Sequence, residues 1–431
     1  MSTGSIWDSV PPRSSYPLLR GVRSRTIATS RLRQHIYAST AEDGERLLLV
    51  HGNASSARFF EELIASLPGY TIVAPDLRGY GASEHEPVDA LRGLRDFSDD
   101  LEALVETLGW ERFHLLGWSL GGVIVMQYAI DHPERVQTLT LHAPGSPWGY
   151  GGSHGAPGVP NFEDFAGSGG GLIAPSVIER YQAHDFTADS PYSPRSALRS
   201  LIVKPGFTFA LEREDALVEQ MLLMAIGDQY YPGDSVSSPN WPFKGPGEWG
   251  ANNALSPKYC DLSGLAEIAP QPPILWARGA DDAMVSDSAT VDPAALGKLG
   301  VIPDWPGEEV CPPQPMLAQL RYVLDLYRAN GGSYEERVFD DCGHAPLIEK
   351  ADEFRAVFLD FLRAHPLPGF AQASPGAAQP ADASALDAPA TSTSTSTPIS
   401  TPISTPAPSP APAEEAPAQR RGPFDWFRRR P

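Results

Sequence analysis

Cysteine is scarce in this chain of 431 residues, and long apolar runs are missing from it. Its three cysteines, Cys260, Cys311 and Cys342, are too few and too scattered for a disulfide framework or a zinc site. Residues 1–12 contain no basic region followed by an apolar one, so we expect no secretory leader and a reducing, cytoplasmic location. No apolar run approaches the roughly 20 residues that a helix needs to cross a bilayer, so we expect no transmembrane segment.

Positive charge is in deficit, because 33 Lys and Arg residues face 53 Asp and Glu residues, for a net charge of −20. Such a surface repels phosphate backbones, so we expect no nucleic-acid partner. Arg78-Gly79-Tyr80-Gly81 lacks the third glycine of a dinucleotide loop, and no Gly-Lys-Ser/Thr phosphate loop or His-x-x-x-His metal pair occurs. The sequence therefore predicts neither a cofactor nor a metal.

Two hydrophobic periodicities alternate along most of the chain. Strands are predicted at 26–29, 34–38, 46–50, 70–74, 113–116, 136–141, 273–277 and 335–339, and helices at 58–67, 97–108, 123–130 and 351–363. This alternation is typical of an α/β fold, in which helices cover both faces of a mostly parallel sheet. The first three strands are expected to form a meander.

One segment interrupts this alternation and another follows it. Residues 145–269 are rich in Gly, Pro, Trp and Tyr, and they are too long for a simple loop, so they are predicted to form a cap with helical pieces at 176–182, 195–202 and 213–226. A second excursion spans residues 285–332. After residue 364 an Ala/Pro/Ser/Thr-rich composition predicts disorder, and the last residues mix Arg with aromatics, which indicates a possible docking peptide. The predicted parts are an N-terminal extension at 1–24, a core at 25–144 and 270–364, the cap at 145–269, the linker at 365–418 and the basic aromatic tail at 419–431.

The most informative motif is Gly117-Trp118-Ser119-Leu120-Gly121, which lies between a predicted strand and a predicted helix. A Gly-x-Ser-x-Gly sequence in this context is typical of a nucleophile elbow, a turn so tight that small residues must flank the serine. A serine hydroxyl is a weak nucleophile at neutral pH, so it needs a base to remove its proton and a third group to orient that base.

Candidates for both partners follow later strands. Asp281 and Asp282 come after the predicted strand 273–277, and His344 comes after 335–339. The order Ser, Asp, His is the one expected when all three lie at the carboxyl ends of parallel strands. His51, His114 and His142 are competing bases, but motif order favours His344.

These motifs together resemble the capped α/β-hydrolases of the bacterial serine-hydrolase type over residues 25–364. The resemblance rests on the 51–53 loop His-Gly-Asn, the run 76–83, the elbow, and the loops of Asp282 and His344. It implies hydrolysis of a small-molecule substrate through an acyl-enzyme, with Ser119 as nucleophile and His344 as general base and then acid. The Gly-x-x-Asp spacing of the family, counted from Gly279, selects Asp282 rather than Asp281 as the group that orients His344.

The resemblance also implies where a developing oxyanion is bound. The backbone amides of Asn53 and Leu120 are the expected donors, and the dipole of the helix that begins at Leu120 assists them. Asn53 is also readable as a turn residue that tolerates positive φ. A substrate pocket is expected near Trp118 and Trp148, although core packing explains these two residues equally well, as it does Tyr150, Trp241 and Trp249.

Hydrolysis of a small carboxylic ester is the predicted reaction. A haloalkane dehalogenase or an epoxide hydrolase is disfavoured because each would place aspartate at the elbow. A perhydrolase or haloperoxidase, a carbon–carbon bond hydrolase and a non-catalytic binding module of the same fold stay open as alternatives.

Overall fold

A computed structural model describes residues 15–370 of the chain. The N-terminal residues 1–14, most of the predicted linker and the whole basic aromatic tail at 419–431 lie outside the described residues.

The described elements alternate between strands and helices. The strands are β1 (Val22–Ala28), β2 (Arg33–Ser39), β3 (Glu45–Val50), β4 (Tyr70–Pro75), β5 (Phe113–Trp118), β6 (Val136–His142), β7 (Ser153–His154), β8 (Val159–Pro160), β9 (Ile226–Gly227), β10 (Tyr231–Pro232), β11 (Ser235–Ser237), β12 (Lys244–Pro246), β13 (Ile274–Gly279) and β14 (Tyr334–Phe339). The α-helices are α1 (Glu61–Ser66), α2 (Arg95–Leu108), α3 (Leu120–Asp131), α4 (Pro175–Gln182), α5 (Pro194–Ala197), α6 (Leu211–Met221), α7 (Ala251–Ala254), α8 (Pro293–Lys298), α9 (Met316–Ala329), α10 (Pro346–Glu349) and α11 (Ala351–Ala364). Short 3-10 helices lie at Ala57–Phe60, Ala90–Arg92, Pro133–Arg135, Gly170–Leu172 and Ser263–Glu267, and a π-helical turn at Leu198–Ile202.

An eight-stranded sheet forms the centre, in the order β1-β2-β4-β3-β5-β6-β13-β14. All neighbouring pairs from β4 to β14 in this order are parallel, and β2 runs antiparallel to both of its neighbours. Every residue of β5 is buried, as expected for a strand covered on both faces. The predicted α/β-hydrolase fold with a mostly parallel sheet is confirmed.

The predicted meander of the first three strands is wrong. β1 and β2 form an antiparallel pair, but β4 lies between β2 and β3, and β3 runs parallel to β4. The apolar run of β3 is fully buried over Leu47–Val50, which suits an interior strand flanked on both sides better than the third strand of a hairpin series.

Two helices differ from the predictions. The predicted helix 213–226 ends at Met221, because the chain then turns so that the Ala225 amide donates to the Gly79 carbonyl at 2.8 Å. The second excursion contains α9, a helix of 14 residues that was not predicted from the sequence. Its buried side chains, Met316, Leu320, Val323, Leu324 and Tyr327, have the spacing of one helical face, so the signal was present.

Candidate active site

Ser119 occupies a strained turn between β5 and α3. Its backbone has φ 58° and ψ −119°, a conformation that is costly for a residue with a side chain. A Cβ on Gly117 would lie 2.2 Å from the Gly121 carbonyl oxygen, and one on Gly121 would lie 2.1 Å from that of Val50. The two glycines therefore allow the turn to pack against the sheet, as the motif predicts.

Asp282 and His344 meet near this turn, although 62 residues separate them. His344 Nδ1 lies 2.7 Å from Asp282 Oδ2, and both side chains are buried. Asp282 Oδ1 accepts hydrogen bonds from the backbone amides of Met284 and Val285 at 2.8 and 2.9 Å. These two amides fix the carboxylate, and the carboxylate in turn fixes the imidazole.

The other imidazole nitrogen is available. His344 Nε2 is buried and has no hydrogen-bond partner among the described residues. Ser119 is only partly buried, and no hydrogen bond of its hydroxyl to a described residue is found. Ser119 and His344 line the same cavity. The Trp118 indole donates to the His344 carbonyl oxygen at 2.9 Å, which ties the elbow to the histidine loop.

Asp281 lies beside Asp282 in the chain, but its side chain contacts Lys204 rather than His344. Its carboxylate is half exposed and receives the Lys204 ammonium at 2.6 Å. The same ammonium contacts Asp341 at 2.6 Å, so Lys204 bridges the loop of Asp282 and the loop of His344. Hydrogen bonds to these two acidic groups raise the pKa of Lys204, and Lys204 lowers the pKa of Asp341.

Glu349, at the end of α10, holds the histidine loop from its other side. Its carboxylate accepts the backbone amides of Gly343 and Ala345, and also that of Lys204 at 2.8 Å. This residue was not predicted from the sequence. A glutamate six residues after a glycine gives no recognisable motif, because its partners are backbone groups.

Each of the competing histidines has a hydrogen-bond partner other than Ser119, and His142 Nδ1 has none within residues 15–370. The Leu77 amide donates to His51 Nε2 at 3.0 Å, His114 contacts Thr138 and Glu45, and the Leu347 amide donates to His142 Nε2 at 3.2 Å. Burial lowers the pKa of all three imidazoles. None of the three is among the described residues that line the cavity.

The loop of Asn53 lies against Ser119. A Cβ on Gly52 would be 2.8 Å from Ser119 Cβ, so this loop approaches the serine more closely than a larger residue allows. Asn53 and Leu120 both line the cavity, and no hydrogen bond of either backbone amide is found within residues 15–370. The positive φ of this loop belongs to Ala54, at 48°, so reading Asn53 as the positive-φ residue is wrong.

The cavity has a volume of about 270 Å³. Aliphatic, methionine and aromatic side chains dominate its lining, and the described residues contribute no Asp, Glu, Lys or Arg to it. The segment between β6 and β13 supplies many of the lining residues, among them Val177, Tyr181, Leu201 and Asn252. The second excursion and the loop before it add others, including Met284 and Met316.

Only one of the two predicted pocket tryptophans lines this cavity. Trp118 does, whereas Trp148 packs over Gly158 and against Tyr322, with 6.4 Å between the ring centroids. Trp148 is therefore not among the described residues that line the cavity, and its contacts fit the alternative reading of this residue as core packing. Trp241 lies in a separate small core, Trp249 is partly exposed, and Tyr150 does line the cavity.

Metal-binding clusters and membrane-spanning helices are not found in the described part of the chain. No group of three or more His, Cys, Asp or Glu side chains within residues 15–370 is arranged to hold a metal ion. In that same range, every helix falls short of the length and apolarity that a membrane crossing requires.

Comparisons with known proteins agree with this fold. A family model described as alpha/beta hydrolase fold matches residues 45–170. A 2-hydroxy-6-oxo-6-phenylhexa-2,4-dienoate hydrolase from Comamonas testosteroni is 24% identical over 341 residues, which are 76% of this chain and 91% of that protein. A fluoroacetate dehalogenase from a Burkholderia species is 38% identical over 102 residues, but these are 23% of this chain and only 34% of that protein.

Among solved structures, carboxylesterase CesB from Bacillus subtilis superposes with a TM-score of 0.50 at 17% identity, over 80% of this chain and 93% of that one. A likeness at this identity shows the fold alone. The chain has the α/β-hydrolase fold, and the family match and the relatives support a hydrolase of this fold. Its relatives act, by name, on different bonds, so the choice of substrate depends on the site itself.

Proposed function

We propose that the chain is a serine hydrolase that cleaves small, neutral carboxylic esters through an acyl-enzyme. Ser119 is the nucleophile, His344 the general base and then acid, and Asp282 the residue that orients His344. The backbone amides of Asn53 and Leu120 bind the oxyanion.

One observation carries this proposal. His344 makes a 2.7 Å hydrogen bond through Nδ1 to a fixed carboxylate, while its Nε2 has no described partner and the ring lines the cavity that Ser119 also lines. A general base needs this division of labour, with one nitrogen held by an orienting acceptor and the other left for the nucleophile's proton. Hydrogen bonds between nucleophile and base are often long in unliganded enzymes and tighten when substrate binds.

The reaction then follows from these positions. His344 Nε2 takes the Ser119 proton while Oγ bonds to the ester carbonyl carbon, and the carbonyl oxygen becomes an oxyanion next to the Asn53 and Leu120 amides. The bond between carbon and the alcohol oxygen breaks, and the leaving alkoxide receives the proton from His344. Water enters, loses a proton to His344 and attacks the acyl carbon. The bond between this carbon and Ser119 Oγ then breaks, Oγ receives the proton from His344, and the acid is released.

The lining of the cavity supports a neutral substrate. No cationic side chain of the described residues lines it, and burying a carboxylate without a partner costs several kcal/mol. The Comamonas relative is by name a hydrolase of a dienoate, which is a carboxylate. An uncharged ester fits this cavity better, so we place ester hydrolysis ahead of carbon–carbon bond cleavage.

Two further parts of the proposal concern the cap and the dehalogenase relative. We assign the cap to residues 145–269, because side chains from this segment enclose the cavity over Ser119 and can exclude water from it. The dehalogenase relative does not change the assignment, since the elbow of this chain carries serine and the match spans about a third of that protein.

A fluorophosphonate probe tests the proposal. We expect the wild-type protein to be labelled and Ser119→Ala to remain unlabelled, while Ser83→Ala, at a buried serine outside the cavity, is labelled like the wild type. A folded wild-type protein that takes no label would favour a non-catalytic binding module instead. A panel of p-nitrophenyl esters of increasing acyl length then reports the chain-length preference.

Hydrogen peroxide added to the same panel separates an esterase from a perhydrolase. An esterase releases nitrophenol without peroxide, whereas a perhydrolase forms peracid when hydrogen peroxide is added. Peracid formation faster than ester hydrolysis would replace our assignment with that of a perhydrolase.

A further inference from the structure

Asn252 on α7 is one of the few polar side chains that line the otherwise apolar cavity. It is 4% exposed, and nothing in the nucleophile, base or oxyanion assignments uses it. Its neighbour Asn253 is saturated, because its amide nitrogen donates to Asp234 and Trp249 while its oxygen accepts from Gly170. Asn252 has no such set of partners among the described residues.

The orientation of the Asn252 amide follows from a short hydrogen-bond chain. The Ala54 backbone amide can only donate, so the Asn53 atom that it contacts at 3.0 Å must be the oxygen Oδ1. Tyr80 donates to this same oxygen at 2.7 Å. Asn53 Nδ2 is then a donor, and the Asn252 atom that it contacts at 2.8 Å must be an oxygen.

This leaves the Asn252 nitrogen free to bind a ligand. Nδ2 carries two N–H groups, and the one side-chain hydrogen bond found between Asn252 and a described residue is the bond that its oxygen accepts from Asn53. Asn252 lines the cavity, so a substrate oxygen or a water molecule can accept a hydrogen bond from this nitrogen. The same amide group is hydrogen-bonded through its oxygen to Asn53, and the loop of Asn53 packs against Ser119.

Two tyrosine hydroxyls are further hydrogen-bond donors at the cavity. Tyr181 and Tyr231 line the cavity, and neither hydroxyl has a hydrogen bond to a described residue. Burial raises the pKa of both phenols, so they stay protonated and can donate. Tyr231 belongs to the strand beside α7, where the Ala251 amide donates to the Tyr230 carbonyl at 2.7 Å.

We propose that Asn252 is a specificity-determining residue that donates a hydrogen bond to a second acceptor oxygen of the substrate, within a few bonds of the scissile carbonyl. This inference rests on the proposed ester hydrolysis and narrows its substrate class. The preferred substrates are neutral esters that carry an additional ether, keto or ester oxygen, rather than plain alkyl esters.

Matched ester pairs test this inference. On the acyl side, p-nitrophenyl methoxyacetate differs from p-nitrophenyl butyrate by one oxygen in place of a methylene group. On the alcohol side, 2-methoxyethyl acetate differs from butyl acetate in the same way. The ratio of kcat/KM within each pair is measured for the wild type and for each variant, so that the intrinsic reactivity of the esters cancels between proteins.

Asn252→Asp keeps an acceptor for Asn53 and replaces the cavity-facing donor by an oxygen. We expect the ratio of one pair to fall about tenfold in this variant, the value of one lost neutral hydrogen bond. The pair that responds identifies the side of the ester that carries the acceptor. Asn252→Ala provides a second test if the aspartate variant does not fold, and the ratio is expected to fall in the same pair.

Leu255→Met is the matched control, because it alters the same cavity without removing a donor. Its ratios should stay within about twofold of those of the wild type. Ratios that stay unchanged in both Asn252 variants, while esters are still hydrolysed, would overturn the inference about Asn252 alone. Absence of ester hydrolysis and of probe labelling in the wild type would instead overturn the proposed function.

Discussion

Two His–Asp pairs are buried within residues 15–370, and only one of them lies at the cavity. His35 Nδ1 is 2.8 Å from Asp76 Oδ2, and His344 Nδ1 is 2.7 Å from Asp282 Oδ2. In each pair the aspartate also accepts two backbone amides, those of Ala57 and Ala82 in the first case. By bond length and burial alone the two pairs are nearly the same.

The two pairs differ in the hydrogen bonding of the serine that accompanies each of them. Ser83, beside the first pair, donates to the Asp76 carbonyl at 2.7 Å and accepts the His35 amide at 2.9 Å, so its hydroxyl is occupied. Ser119 makes no such hydrogen bond to a described residue, lies in a strained turn and faces a cavity. A His–Asp pair is therefore a stable structural unit, which becomes a candidate for catalysis only where an unoccupied hydroxyl and an open cavity accompany it.

Replacing the two histidines separately gives the largest expected effect. His344→Ala should lower kcat on the order of a million-fold, because the proposed base is removed and the serine stays protonated. His35→Ala should keep kcat within about tenfold while lowering the free energy of unfolding by roughly 1–3 kcal/mol, since it leaves the Asp76 carboxylate short of a partner. Steady-state ester hydrolysis and thermal unfolding of both variants measure the difference.

A comparable loss of kcat in both variants, with both folded, would contradict the distinction between a structural and a catalytic pair. Ser119→Ala provides the reference for complete loss, because it removes the proposed nucleophile and leaves both pairs intact.

The neighbouring aspartates give the next largest effect. Asp282→Asn should lower kcat about ten-thousand-fold, because an amide cannot hold the imidazole in the required tautomer. Asp281→Asn should cost less than about fivefold, since Asp281 contacts the partly exposed Lys204 ammonium rather than the histidine. If the larger loss belonged to Asp281, the orienting role would pass to it and the 2.7 Å bond of Asp282 would be structural.

Hydrophobic periodicity located the strands, and motifs and their order located the elbow and the His–Asp contact. These features depend on local patterns and on the edge that parallel strands share. The residues that shape the cavity were harder to predict. Size alone favours Trp148 as a pocket residue, yet it packs over Gly158, and Asn252 gives no motif although it faces the cavity. Their positions depend on how an irregular segment of short helices and strands packs on the sheet, and periodicity carries little information about such packing.

The buried carboxylates of Asp76 and Asp292 extend the comparison to the pH dependence of stability. Burial alone would raise the pKa of Asp76, but the hydrogen bond and charge of His35 lower it overall. Asp292, in the second excursion, has the backbone amides of Gln314, Ala294 and Ala295 but no histidine, and burial raises its pKa to about 6. The pKa values of the two carboxyls are therefore shifted in opposite directions, and His35 is the largest influence that lowers the pKa of Asp76.

Asp292→Asn should therefore change the pH dependence of stability. Above its unfolded pKa of about 3.8, the unfolded wild type releases this proton before the folded state does, so stability falls until the pH reaches about 6. The shift of about two pKa units corresponds to a loss on the order of 3 kcal/mol, which the Asp292→Asn variant should not show. Urea unfolding between these pH values measures it.

Asp76→Asn is the opposite control. The folded pKa of Asp76 is lowered, so its contribution to stability is present above the unfolded pKa and is lost as pH falls through the folded value. Its removal should lower the stability of the protein at neutral pH and flatten the acid limb of the curve of stability against pH.

An Asp292→Asn variant whose stability has the same slope as that of the wild type between pH about 3.8 and about 6 would show that the Asp292 carboxyl does not cause the loss of stability.

The smallest expected effect concerns the link between the segment at 145–269 and the two loops of the His344 pair. Lys204 bridges Asp281 and Asp341, but all three side chains are substantially exposed, so Lys204→Met should lower kcat by no more than about threefold at low salt. The difference from wild type should vanish near 1 M salt, where the screening length is about 3 Å. Lys298→Met is the matched control. Lys298 lies on α8 and forms an ion pair with Glu308 that is also exposed, so its replacement should leave kcat and the salt dependence of kcat unchanged. A salt-independent loss in Lys204→Met would mean that the lysine acts through the packing of its stem, and that the charges add nothing to the placement of His344.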